Sequence, residues 1–335
     1  MTYGERGRRG QAIDILITGG TGFLGGHLAQ ALLVAGHRVR LMGRDFTHVG
    51  PLLAAGAVAV PVDLCDRAAV MSACMGVDAV IHAGALSAPW GRRADFHAAN
   101  VDGTAHVLAG CTAHEVSRLI YVSSPSVVFD GRDVHDQRED APYPRRFVSV
   151  YSETKKLGED LVNAAAGRLH TTIVRPKAIF GPGDRTLLPR LLDAGRRGRL
   201  PIIGDDHNRV DLTYVDNVVD ALVLALTAPA AGRTYTITNG EHVRLWDVVR
   251  DLLRHHGLPE QLRRVPLPVA HMAAALMELR AAVTGREPLL TRYTVAILAR
   301  TQTYDICAAR RGLGYAPRIT VAEGVTRTLA TADHG

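Results

Sequence analysis

Lysine is scarce in this chain. Of 335 residues with 39 basic side chains, lysine stands only at 155, 156 and 177. Aromatic residues make up 5%, and the arginines are scattered singly and in pairs. The one dense cluster, Arg6 to Arg9, sits in a Gly-rich start that reads as a disordered basic tail over residues 1–11. A nucleic-acid binder wants a basic stripe with aromatics on one face, so the net charge of +6 implies only mild attraction for small anions, and no nucleic-acid partner. Cysteine is also sparse. Cys65, Cys74, Cys111 and Cys307 show neither a CxxC pair nor Cys/His metal spacing, so no metal site is expected and each reads as a small core residue. Without a disulfide framework the chain fits a reducing compartment. No apolar signal core opens it. Its longest apolar stretch, around Val269 to Val283, is broken by His271, Glu278 and Arg280, too interrupted for a membrane span. These absences predict a cytoplasmic protein, although that stretch can still lie on a membrane surface as a peripheral contact or form a lid.

The length and 47% hydrophobic content allow one large or two medium domains with a real core. The stretch with most chemical content is Tyr151-Ser-Glu-Thr-Lys155, followed by a run that reads as helix. Residues four apart share a helical face, so the phenol and the ammonium point into one space. Tyrosine ionises near pH ~10; lowering that by ~3 units takes ~4 kcal/mol. One cation ~4 Å away supplies about that much at an effective dielectric of ~20. A lysine here, in an arginine-rich chain, is a flexible point charge and not a planar fork.

Near the start, Ile13 to Thr18 is a short β-rich run. Gly19-Gly-Thr-Gly22-Phe-Leu-Gly25 follows, then an apolar helix from Phe23 to Ala35 closed by Gly36. Strand, glycine turn and helix form the context of a dinucleotide site, with the pyrophosphate resting on the helix N-terminus. The second strand, Arg38 to Met42, ends in Gly43-Arg44. An acid there would hold the adenosine ribose of NAD, whereas an arginine accommodates a 2′-phosphate. NADP(H) is therefore predicted, with NAD(H) the alternative because Asp45 is near.

The glycine spacing is Gly-x-x-Gly-x-x-Gly. Together with Tyr151-x-x-x-Lys155 it resembles the extended short-chain dehydrogenase/reductase family (the NAD-dependent epimerase/dehydratase superfamily), whose turn reads TGxxGxxG and whose site carries Tyr-x-x-x-Lys. The resemblance covers nearly the whole chain. It implies an α/β fold: a Rossmann-type doubly wound parallel sheet with a smaller, mostly helical substrate-binding part. The dinucleotide domain would span 12–185 with 209–240 returning to it, and the substrate part 186–208 and 241–335. Gly19, Thr21, Gly22, Phe23, Leu24 and Gly25 would form the cofactor turn, with Arg44, Asp63 and Leu64 at the adenosine end. Ala83, Gly84 and Ala85 would line the cofactor, beside His82 in a variable polar position. Tyr151 and Lys155 would touch the nicotinamide ribose; Pro176 and Ile179 would pack on the nicotinamide.

For catalysis the resemblance implies Tyr151 as proton carrier, with Lys155 lowering its pKa. Asn100 would back the relay through a backbone kink and water. Ser124 would orient the substrate oxygen, with Ser123 the fallback and Ser126 the third choice. Lys177 reads as a loop charge or a substrate contact. A homodimer through the helices containing Asn100 and Tyr151 is expected.

Three further segments resemble the 3β-hydroxysteroid dehydrogenase branch: Tyr121 to Gly131, Gly181-Pro-Gly-Asp184 with Leu187-Leu-Pro-Arg190, and Glu287 to Arg292. That branch includes sterol-4-carboxylate dehydrogenases and reductases of long-chain 2-alkyl-3-oxo acids, so a large apolar 3-hydroxy/3-oxo substrate is expected. The segment Val265 to Val283 reads as a core-facing helix or as a cover over that substrate. A sugar-nucleotide epimerase or dehydratase is the runner-up. Arg209 favours it, while Pro125-Ser126, where dehydratases place an acidic pair, and Gly43-Arg44 oppose it. A non-catalytic NADP-binding regulator is a third reading, opposed by the intact Tyr151 and Lys155.

Overall fold

The computed structural model describes residues 12–184, 188–229 and 231–332; the expected basic tail and Leu187 lie outside them. The chain alternates strand and helix: β1 (Asp14–Thr18), α1 (Phe23–Val34), β2 (Arg38–Gly43), β3 (Val58–Pro61), β4 (Ala79–His82), α2 (Gly103–Ala113), β5 (Arg118–Val122), α3 (Val150–Ala165), β6 (His170–Pro176), α4 (Val215–Thr227) and β7 (Arg233–Ile237). The seven strands form one parallel sheet in the order β3-β2-β1-β4-β5-β6-β7. The order reverses beside β1, so a crevice opens at the carboxyl ends of β1 and β4, where such sheets take their ligands.

Both faces are covered. Side chains alternate along a strand, so Ile15 and Ile17 join Leu28 of α1 and Val218 of α4 on one face. Leu16 joins Val70, Val107 and Val162 on the other. That double burial is why the strands read as continuous apolar runs.

The rest of the chain builds a second lobe around Phe180, Leu212 and Trp246. It includes α5 (Leu245–His255), α6 (Leu267–Thr284) and α7 (Arg292–Ala299). A four-stranded sheet joins His242–Arg244, Arg209–Asp211, Gln302–Tyr304 and Val134–Gln137.

Three features depart from the plain reading of the sequence, in which Arg209 to Val215 is one strand, Asp216 caps the helix after it and all four cysteines are core residues. Residues 209–215 do not form one strand. Arg209–Asp211 pairs in the small sheet while Thr213–Tyr214 pairs with Ile179–Phe180, because the Thr213 hydroxyl is tied to the carbonyls of Lys177 and Ile237. Asp216 does not cap α4. It lies inside the first turn, with its carboxylate 3.7 Å from His27. Of the four cysteines, only Cys74 and Cys111 are core residues; Cys65 is exposed and Cys307 intermediate.

Candidate active site

The glycine turn joins β1 to α1 with no side-chain cap at Gly22, so the first amides of α1 are left for an anion. Gly19 takes φ +67°, and a Cβ on it would lie 2.7 Å from the Gly84 backbone; one on Gly25 would strike the Gly19 carbonyl. The turn is thus packed against the segment after β4, forming a cradle for a pyrophosphate. This backbone fits a dinucleotide. Arg44 and Asp63 face each other 3.5 Å apart at its far rim.

A buried chain of hydrogen bonds ties this cradle to the helices behind it. The Gly84 amide donates to Thr18 Oγ1, which lies 2.6 Å from His82 Nδ1. His82 Nε2 lies 3.0 Å from Thr104 Oγ1, which donates to the Asn100 carbonyl at 2.7 Å. With the Thr104 proton committed to Asn100, His82 must donate from Nε2 and accept at Nδ1 from Thr18. Burial first, and the charge of Lys155 second, push His82 down to about 3, so it works as a neutral spacer.

Asn100 occupies a π-helical segment, Ala98–Asp102, immediately before α2. The wider turn leaves its carbonyl to Thr104. Its side chain accepts from the Leu86 amide at 2.7 Å and donates to the Leu86 carbonyl and to Thr154 Oγ1. Thr154 lies between Tyr151 and Lys155, so one amide sets α3 against the segment after β4. By its neighbours in sequence Asn100 is an ordinary helix residue; only the family resemblance points to a backbone kink here.

On α3, capped by Ser149, Tyr151 is in the first turn, Lys155 in the second and Glu159 in the third. The Lys155 ammonium lies 3.9 Å from the centroid of the Tyr121 ring. Glu159 is fully buried and makes a two-pronged pair with Arg175 at 2.8 and 2.6 Å, and it accepts from the Tyr143 hydroxyl. The spacing of Glu159 from Lys155 was available in the sequence; its burial was not. Burial lowers Lys155 to about 7, opposed by the charge of Glu159.

Burial also raises the Tyr151 phenol, and the facing hydroxyls of Ser87 and Ser124 draw it part of the way back. The expected depression by Lys155 is therefore absent.

At the carboxyl end of β5, Ser124 is the serine facing Tyr151. Ser123 has a buried hydroxyl with no hydrogen-bond partner among the described residues. Tyr293 of α7 brings a second phenol toward Ser126 and Tyr151, from 142 positions further along and with no sequence signal. After β6, Lys177 donates to Gln302 Oε1 at 2.7 Å, and burial lowers it to about 8. It borders an apolar cavity of about 80 Å³ lined by Phe180, Leu191, Leu245, Val249 and Ile297. Pro176 is buried at the end of β6, and Ile179 packs between the cofactor half and the second lobe. Among the described residues no group of three or more His, Cys, Asp or Glu can hold a metal.

Residues 16–269 match the 3-beta hydroxysteroid dehydrogenase/isomerase family. The chain is 39% identical to a 2-alkyl-3-oxoalkanoate reductase of Stenotrophomonas maltophilia, over 96% of this chain and 99% of that protein. It is 33% identical to the decarboxylating sterol-4-alpha-carboxylate 3-dehydrogenase of Saccharomyces cerevisiae, over 96% and 98%. Among solved structures, MoeE5 in complex with UDP-glucose and NAD superposes with a TM-score of 0.77 at 25% identity, covering 96% of this chain and 99% of that one.

Proposed function

Since the chain belongs to the 3-beta hydroxysteroid dehydrogenase/isomerase family, we propose that it uses NADPH to reduce a 3-oxo group on a large apolar substrate, a steroid or a long-chain 3-oxo acid. The chain is an oxidoreductase of the extended short-chain type that uses a nicotinamide dinucleotide. One observation carries the reduction of a carbonyl. The Tyr151 phenol faces Ser124 beside the crevice, with the Lys155 ammonium one turn deeper in the same helix.

When bound, a nicotinamide dinucleotide would supply the hydride. Ser124 orients the ketone oxygen. Tyr151, whose raised pKa keeps its proton at neutral pH, gives that proton to the oxygen as negative charge develops there. Lys155 would hold the nicotinamide ribose, and Asn100 fixes α3. Pro176 and Ile179 would back the ring. Preference for NADPH is supported at position 43: a Cβ there would lie 2.5 Å from Thr21 Oγ1, which crowds the acid that selects NAD, while Arg44, facing Asp63 at the exposed rim, can turn to meet a 2′-phosphate. The relatives' named activities support the substrate class. A second copy would pack through α2 and α3.

The test is absorbance loss of NADPH against 3-oxosteroids, 2-alkyl-3-oxo acids and UDP-sugars. Turnover of a member of the first two classes is expected. Turnover confined to UDP-sugars sinks the substrate assignment, and tighter binding of NADH than NADPH sinks the cofactor assignment.

A further inference from the structure

Helix α6 is built inside out. Its buried residues are the small ones, Ala270, Ala274 and Ala281, the first two packed with Ile203 and Val295. Its large apolar residues face away from the protein: Val269 is 48% exposed, Met272 62%, Leu276 62%, Leu279 65% and Val283 82%. Their spacings of three and four residues draw a single stripe along the helix, about 21 Å long at 1.5 Å per residue. Most of the large exposed apolar residues of the molecule gather on this helix and at Leu289 just beyond it. Scattered singly they would need no explanation; as one patch they mark a contact.

A helix apolar on both sides needs a second apolar neighbour, and the charges around the stripe say which kind. Both nearby acids are engaged: Glu278 pairs with Arg292 at 2.7 Å, and Glu287 lies 3.6 Å from Arg190. Arg280, beside the stripe, and Arg286, past its end, are exposed and have no acidic partner among the described residues. A second copy laid parallel along the stripe would bring the two basic ends together. An anionic surface would receive them. No helix among the described residues is long and apolar enough to cross a membrane, so α6 would lie along the surface.

We propose that α6 seats the protein on an anionic phospholipid surface, its apolar stripe entering the boundary between headgroups and acyl chains while Arg280 and Arg286 meet lipid phosphates. An apolar stripe with a basic rim binds in this way, and each arginine near an anionic leaflet adds to the attraction. The buried side of α6 packs against α7, the helix that carries Tyr293 toward Tyr151. A docked molecule therefore holds its active-site lobe next to the phase in which large apolar molecules concentrate. The proposal does not depend on the substrate assigned above.

The test is co-sedimentation of the full chain with vesicles of phosphatidylcholine alone and of phosphatidylcholine with phosphatidylglycerol at about 7:3. Binding to the anionic vesicles is expected, weakening as salt screens the arginines. The double variant Leu276→Glu, Leu279→Glu should lose about tenfold or more in bound fraction while keeping its melting temperature, since both side chains are outside the core. Arg280→Glu with Arg286→Glu should abolish the preference for anionic over neutral vesicles. Wild type remaining in the supernatant with both vesicle types overturns the proposal, as does undiminished binding by the leucine variant. Light scattering that shows a dimer split by the leucine variant, with no lipid binding, assigns the face to a second copy instead.

Discussion

At the scale of single residues, the burial of Tyr151 and Lys155 shapes the chemistry. The phenol holds its proton because burial penalises its anion more than Ser87 and Ser124 favour it. It is ready to act as an acid toward a ketone. Tyr151→Phe should leave NADPH binding within about twofold and lower turnover by ~10²–10⁴, checked by fluorescence titration and single-turnover absorbance. Lys155 gives a pH prediction. Its folded pKa of about 7 is below the ordinary lysine value of 10.5, so between those limits the unfolded chain binds more protons than the folded one. Stability then rises with pH through that window, as the buried charge is relieved. Wild type should gain on the order of ~3 kcal/mol between about pH 7 and 10 relative to Lys155→Met, read from urea midpoints; parallel profiles would contradict the burial argument. The i,i+4 pair of Tyr151 and Lys155 was legible in the sequence because helical spacing fixes which side chains share a face. The sign of the tyrosine shift was not, since it depends on how much protein surrounds both groups.

At the scale of elements, the π-helical segment around Asn100 is the least legible feature and one of the most consequential. It frees a carbonyl for Thr104 and turns an amide side chain onto Leu86 and Thr154. Asn100→Ala removes three hydrogen bonds and strands the buried amide of Leu86. A loss of ~2–3 kcal/mol is expected, seen as a fall in melting temperature, with turnover falling more than NADPH affinity because α3 loses its anchor. The strands and helices of the cofactor half were readable, because a strand buried on both faces and a helix with one apolar side leave different periods. Two elements of the second lobe were not. Residues 209–215 carry a continuous strand pattern, yet Thr213 bonds to another part of the chain and breaks it. Helix α6 carries apolar residues on two opposite sides, so its period cannot say which one faces in; small side chains, which pack closely, took the inner side.

At the scale of the whole molecule, the cofactor crevice joins the carboxyl ends of β1 and β4 to α3 through Thr18, His82, Thr104 and Asn100. A ligand that fills the cradle should therefore stabilise the chain globally. NADPH at ~100 times its Kd should add ~2.7 kcal/mol, or roughly 5 °C in melting temperature. NADH at the same concentration should add clearly less if Gly43 and Arg44 set the preference. Equal shifts would remove the cofactor argument built on that corner.

Strand β7 has one more effect, on the making of the protein. It completes the parallel sheet against β6, yet it arrives only after the helix Leu188–Arg196, the small strands and α4. As the polypeptide leaves the ribosome, β6 must wait more than fifty residues with one margin unpaired, a template for a stray strand from another molecule. A fragment ending before Arg233 should accordingly clump instead of yielding a tidy nucleotide-binding half.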